Sequence, residues 1–154
     1  MKSQVIEKTK LRGHYHSVYS LNYHLVLVTK YRKRCLKTEH LEFLKQEFER
    51  LLIEWDCNLI EFGGEEDHVH LLFEAHPSLD LSRLLNNLKT VSSRMIRKKY
   101  PAHLKKYFWK PVFWTRAYCL LSTGGATLEV IRKYVENQRS EELRSSIVKN
   151  SSRP

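Results

Sequence analysis

The chain reads as an α+β protein: a ferredoxin-like, RRM-like antiparallel sheet built on a split βαβ pattern, with one extra C-terminal helix. Two observations carry this. Hydrophobic spacing switches between a period of two and a helical period in the order strand, helix, strand, strand, helix, strand, helix. The 154 residues, 42% of them hydrophobic, suit one domain with a real core, and no repeat or low-complexity linker divides them. A single domain over 1–154 is expected, with a core over about 13–140 and polar tails at both ends.

The first strand is expected over Tyr19 to Thr29, rich in aromatic and β-branched residues, with a basic loop, Lys30-Tyr31-Arg32-Lys33-Arg34, after it. Leu41, Leu44, Phe48, Leu51, Leu52 and Trp55 recur at helical spacing and predict a helix from about Thr38 to Trp55. Cys57 to Phe62 reads as the second strand and Gly63-Gly64-Glu65-Glu66 as the turn of a hairpin. In the third strand, Asp67 to Ala75, Val69, Leu71 and Phe73 share one face while His68, His70 and Leu72 take the other. Asp80 is the expected N-cap of a second helix with a buried stripe of Leu81, Leu84, Leu85, Leu88, Met95 and Ile96, ending just before Pro101. A fourth strand falls around Ala117 to Leu121. Gly124-Gly125 breaks the pattern, and a last helix begins near Thr127, with Leu128, Ile131 and Val135 on its apolar side.

The formal charge is +10, from 27 Lys+Arg against 17 Asp+Glu, which favours a polyanionic partner because clustered cations displace counterions from phosphates. No apolar run approaches the roughly 20 residues of a membrane span, and Met1 to Lys8 lacks the apolar stretch of a secretory signal. No membrane partner is expected, and the cytoplasm is the expected location. Cys35, Cys57 and Cys119 are far apart and form no CxxC pair, which argues against a disulfide scaffold or a zinc ribbon.

Two constellations carry chemistry. In His68-Val69-His70 the two imidazoles leave one face of a strand about 6.6 Å apart, close enough to converge on one cation. Two polar residues on a solvated sheet face would look the same. A second such pair, His14-Tyr15-His16, precedes the first strand in a polar segment and reads as structural or incidental, as do His24, His40, His76 and His103. On the last helix Tyr134 and Gln138 stand four residues apart and share a face distinct from that of Val135. They are either a half-buried tyrosine beside a surface amide, or a nucleophile beside a neutral oxygen ligand.

Asp67-His68-Val69-His70-Leu71-Leu72 on a strand, then a Gly-Gly break, then Thr127-Leu128-Glu129-Val130-Ile131-Arg132-Lys133-Tyr134-Val135-Glu136-Asn137-Gln138, resembles the HUH endonuclease superfamily. Within it the likeness is to the small single-tyrosine transposases of compact insertion sequences, the TnpA type. His14 to Tyr19, Asn22 to Val26 and Val28 to Arg32 resemble that family's opening strand, so the likeness spans roughly Gly13 to Gln138.

The resemblance implies a single-stranded DNA transposase of a prokaryotic cell, associated with the nucleoid when bound to DNA. Such an enzyme is a metal-dependent endonuclease and strand transferase that recognises DNA hairpins and works through a 5′-phosphotyrosine intermediate. By the same resemblance His68, His70 and Gln138 are the ligands of Mg²⁺ or Mn²⁺, Tyr134 is the catalytic nucleophile, Gly124 and Gly125 form a hinge, and the protein is a homodimer. Gly124-Gly125 read alone is equally a tight turn. The alternative function is a non-catalytic or domesticated hairpin-binding protein, and a metallohydrolase releasing free ends would not need Tyr134.

For DNA contacts the candidates are Lys30, Arg32, Lys33 and Arg34, with Arg94 and Arg97 near the end of the second helix. Lys105, Lys106 and Lys110 interleave with Tyr107, Phe108 and Trp109. Each cluster is otherwise an ordinary solvated surface, and Trp109, Phe113 and Trp114 serve equally as core or dimer interface.

Overall fold

An antiparallel four-stranded sheet with two long helices on one face and a short one on the other organises the computed structural model, which describes residues 12–14, 17–19, 21–122 and 132–138. The strands are β3 (Leu21–Val28), β4 (Asn58–Glu65), β5 (His68–Ala75) and β6 (Cys119–Ser122), in the spatial order β4-β5-β3-β6. β5 lies between β3 and β4, which are joined by helix α1 (Thr38–Glu54); this is the expected split βαβ. Ahead of it, β1 (Arg12–His14) and β2 (Ser17–Tyr19) pair as a small separate hairpin. A strand beginning at Tyr19 after a polar lead-in was the expectation; Val18 and Tyr19 have high strand propensity and make a short ladder of their own.

The hairpin turn differs from the expected one. Gly63 and Gly64 lie inside β4, paired with His70 and Val69, and the two-residue turn is Glu66-Asp67. No glycine is required because neither Glu66 nor Asp67 takes a positive φ, and the preceding loop holds the turn from outside. Thr29 donates its backbone N–H to the Asp67 carbonyl at 3.0 Å, and Leu36 N–H donates to the Glu66 carbonyl at 2.9 Å. The Thr29 hydroxyl is shared between the carbonyls of Lys33 and Asp67. Between them the basic loop forms a 3-10 turn over Lys30–Arg32, with Tyr31 and Arg32 in the left-handed region at φ 58° and 52°.

The helices follow the expected stripes closely. α1 buries Leu44, Phe48, Leu51 and Leu52. It ends in a Schellman motif: Cys57 N–H reaches the Leu52 carbonyl, Asp56 N–H reaches that of Ile53, and Asp56 takes the left-handed conformation at φ 56°. α2 (Leu81–Lys99) starts where Asp80 accepts the Arg83 N–H at 3.2 Å, as expected of an N-cap. Its buried side is Leu84, Leu85, Leu88, Ser92 and Ile96; Leu81 and Met95 are only half-buried. Ser92 belongs in the core because its hydroxyl accepts the indole N–H of buried Trp114 at 2.9 Å. Pro101 opens a single further turn, α3 (Pro101–Leu104). A last helix, α4, covers 132–138. Its expected start at Thr127, with Leu128 and Ile131, lies outside the described residues, as do Gly124, Gly125 and both tails.

The core lies between the sheet and α1 and α2. Leu25, Leu27, Val69, Leu71 and Phe73 meet Leu44, Phe48, Leu52, Leu84 and Leu88 there, all fully buried. Removing a ring such as that of Phe48 would cost about 3–5 kcal/mol. Phe113 and Trp114 complete this core, with ring centroids 4.5 Å apart. Cys35, Cys57 and Cys119 are free thiols.

His40 is part of the same core, fully buried at the start of α1. Its Nδ1 accepts the Lys37 N–H at 2.9 Å, so a neutral ring caps the helix. The ring stacks on His103 at 4.2 Å and takes the edge of Tyr100 at 4.5 Å. Burial first, and then the charge of His103, lower its pKa from the ordinary 6.5. The unfolded chain therefore takes up a proton near pH 6.5 that the folded chain resists, and stability falls as pH drops through that value. Thermal melts at about pH 7.5 and about pH 5.5 should show this. His40→Asn keeps an acceptor for Lys37; it should melt lower at the higher pH but lose less on acidification, with His70 supplying the remaining slope.

Candidate active site

The alternation of β5 creates two surfaces. Val69, Leu71, Phe73 and Ala75 are buried beneath the helices, while His68, His70, Leu72 and Glu74 point to the other face. Across the ladder to β3, Val28 stands opposite His68, Val26 opposite His70 and His24 opposite Leu72. The histidine pair therefore shares a sheet face, as the sequence spacing requires.

His68 is oriented by its neighbour. Its Nδ1 lies 2.8 Å from Asp67 Oδ1, and Arg32 Nε donates to Asp67 Oδ2 at 2.8 Å. Burial raises the Asp67 pKa, but the hydrogen bonds from His68 and Arg32 and their charges outweigh it and hold the carboxyl at about 2. An ionised carboxylate only accepts, so a proton sits on His68 Nδ1, and Nε2 is turned away from Asp67. A carboxylate behind a histidine is the usual outer support of a metal ligand. Glu65, Asp67 and His68 also bring ligand atoms within 4.8 Å of one another, although both oxygens of Asp67 are already committed to Arg32 and His68.

His70 depends on a glycine. It pairs with Gly63 of β4, and a Cβ at Gly63 would lie 2.6 Å from both Cε1 and Nε2 of the ring. The missing side chain is the space that the imidazole occupies. At Gly64 a Cβ would meet the His68 carbonyl at 2.7 Å and Leu41 of α1 at 2.9 Å, so that glycine allows the helix to seat on the sheet. Burial, then the charges of His68 and His24, lower the His70 pKa and keep its ring neutral and ligand-competent. A cleft of about 520 Å³ lined by Lys45, Glu49, Glu61 and Phe62 reaches this histidine.

α4 lies on the same face. Val135, buried, packs on Val26 and Val28, with Tyr134 and Cys119 against the same cluster. Those two valines are the cross-strand neighbours of His70 and His68, so α4 packs over β3, the strand next to the one that carries the histidines. Tyr134 is half-buried and Gln138 is buried. At about 100° per residue, Tyr134, Gln138 and Val135 span a single arc of about 100°. The expected separation of the Tyr134–Gln138 face from that of Val135 therefore narrows to one sheet-facing surface.

The basic residues divide. Arg32 serves Asp67, and Lys30 sits beside it in the 3-10 turn, while Lys33 and Arg34 are exposed. Arg94 is exposed and Arg97 half-buried, its Nε on the Ser93 carbonyl at 3.1 Å; both are carried by the helix on the opposite side of the sheet. Phe108 is in the core, whereas Trp109 is 86% exposed with Lys110 Nζ 4.5 Å from its ring centre. Asp67 and Gly63 are the site residues that composition and spacing did not single out. An acid before a histidine at a strand start was the one available signal for Asp67, and Gly63 read as a turn.

The family described as "Transposase IS200 like" matches residues 17–138, from the second strand to the last residue of α4. The ISDra2 transposase TnpA of Deinococcus radiodurans is 34% identical over 89% of this chain and 95% of its own length. The transposase for insertion sequence element IS200 of Salmonella typhimurium is 29% identical over 82% of each chain. A crystal structure of a Deinococcus radiodurans protein assigned as a transposase superposes with a TM-score of 0.76 at 32% identity, covering 82% of this chain and 97% of that one.

Two substitutions test the supports of the histidines. Gly63→Ala should push the His70 ring off β4, seen as a change in its ring NMR signals, with an unfolding free energy altered by less than about 1 kcal/mol. Asp67→Asn in metal-free buffer should lose about 2 kcal/mol at neutral pH in urea unfolding. Because the Asp67 pKa is depressed, that stability is present above its ordinary 3.8, and the gap to the wild type should close as pH falls towards about 2.

Proposed function

Because the chain belongs to the family of IS200-like transposases, we propose that it cuts and rejoins single-stranded DNA at the ends of an insertion sequence, after recognising hairpins there, with Tyr134 as the nucleophile. The observation that supports this reading most is the seating of α4: Val135 on Val26 and Val28 brings Tyr134 and Gln138 to the histidine side of the sheet.

The donor set suits a divalent cation. Two imidazoles, one backed by a carboxylate and one cradled by a glycine, lie on the face that α4, with the buried amide of Gln138, also packs on. His68, His70 and Gln138 would hold Mg²⁺ or Mn²⁺, which when bound supplies positive charge against a non-bridging phosphate oxygen.

Tyr134 makes the chemical step. A phenol of ordinary pKa near 10 is ionised to about one part in a thousand at neutral pH, a deficit of roughly 4 kcal/mol for the site to offset. The phenol oxygen gives up its proton and bonds to phosphorus, the bond to the 3′ oxygen breaks, and that oxygen takes a proton. The products are a 5′-phosphotyrosine and a free 3′-hydroxyl. The ester bond is conserved, so the 3′-hydroxyl of another strand can reverse the step without ATP. A homodimer belongs to the same reading. No helix among the described residues is long and apolar enough to cross a membrane.

The protein incubated with hairpin-bearing single-stranded DNA and Mg²⁺ or Mn²⁺ should give a covalent adduct on a denaturing gel, absent in Tyr134→Phe and in a chelator. Cleavage surviving in Tyr134→Phe would favour a metallohydrolase, and hairpin binding with no adduct would leave a non-catalytic binder. His68→Ala and His70→Ala should abolish cleavage while hairpin affinity, read by gel shift, stays within roughly twofold. A monomeric mass under conditions of full cleavage would remove the dimer.

A further inference from the structure

One end of the sheet collects positive charge and exposed aromatic rings that the cleavage step does not use. Thr29 bridges to Trp114, Lys30 N–H donates to the Phe113 carbonyl at 2.7 Å, and Thr115 N–H donates to that of Val28 at 2.8 Å. This short ladder brings the 3-10 turn beside residues 116–118. Lys89 reaches up from α2 and donates to the Arg116 carbonyl. The Tyr118 ring lies 5.8 Å from its Nζ, and burial first, then the charges of Lys30 and Arg116, lower its pKa. Lys30, Lys89 and Arg116 thus concentrate positive charge at one place, which attracts a phosphate.

Two tyrosines flank the charges. Tyr31 and Tyr118 are each 42% exposed, and Lys30 Nζ lies 5.4 Å from the Tyr31 ring centre. Tyr31 is held outward by a backbone in the left-handed region, which a tyrosine rarely adopts and which marks a turn shaped by its surroundings. The next residue, Arg32, grips the carboxylate of Asp67 that orients His68. The patch is therefore continuous in chain with the candidate active site.

We propose that Lys30, Lys89 and Arg116, with Tyr31 and Tyr118, form a track for a single DNA strand running to the histidine pair, its phosphates against the cations and its bases stacked on the two rings. The inference rests on the transposase reading for the identity of the polymer, and adds where the unpaired strand lies. Stacking on a ring demands an unstacked base, so the track selects single strands over duplex and is indifferent to sequence.

Equilibrium binding of a fluorescent oligothymidylate to the full chain, in a chelator so that no cleavage intervenes, tests this. Tyr118→Ala and Tyr31→Ala should each weaken binding about 5- to 150-fold, while Tyr118→Phe and Tyr31→Phe, which keep the ring, should stay within roughly twofold of the wild type. Lys89→Gln and Arg116→Gln should each lower the log–log salt slope by about 0.7. Wild-type affinity in both alanine variants would overturn the track, as would no oligothymidylate binding by the wild type, or duplex bound as tightly as single strand. The adduct assay is independent: an adduct without these losses removes the track alone, and these losses without an adduct leave the track standing while the cleavage reading falls.

Discussion

Strand β5 has to satisfy two environments at once, and the rest of the molecule follows from that constraint. Its odd and even residues alternate between a dry interface with α1 and α2 and an open face carrying His68 and His70. A slip of one residue in pairing would exchange the two sets, burying imidazoles and exposing Val69, Leu71 and Phe73. The register is held at the Glu66-Asp67 turn, whose carbonyls are bound by Thr29 and Leu36 from the loop after β3. The same turn presents the Asp67 carboxylate to His68 and Arg32. One short segment thus sets the strand register and the tautomer of a site histidine.

Much of the fold was legible because it rests on local periodicity. The stripe of α1, the Asp80 cap of α2 and the two-faced β5 all come from spacing within one element. What was not legible depends on contacts between distant residues. Glycines usually mark turns, so Gly63-Gly64 read as one; their actual role, leaving room for His70 and Leu41, becomes visible only when β4 is paired and α1 is packed. His40 looked incidental until His103 stacked on it across more than sixty residues of chain. Arg32 looked like one more member of a basic run, and its commitment to Asp67 spans a separation of 35 residues.

The candidate site follows the same division. The two histidines and the Tyr134–Gln138 pair were identifiable because strand and helix geometry require residues at those spacings to share a face. That both lie on one face of the sheet was not contained in either motif, since it depends on Val135 packing against Val26 and Val28. α4 is anchored there by a small apolar cluster, separate from the large core on the other face of the sheet.

That separation of faces has an evolutionary corollary. His68 and His70 are not part of the buried core, so substitutions there, which on the proposed function silence the chemistry, leave no cavity among the leucines and phenylalanines that keep the chain folded. On the proposed function, loss of the histidines and unfolding are separable events. A copy that drifts in sequence can lose catalysis first and persist as an intact, basic, folded domain, available to selection for a different task.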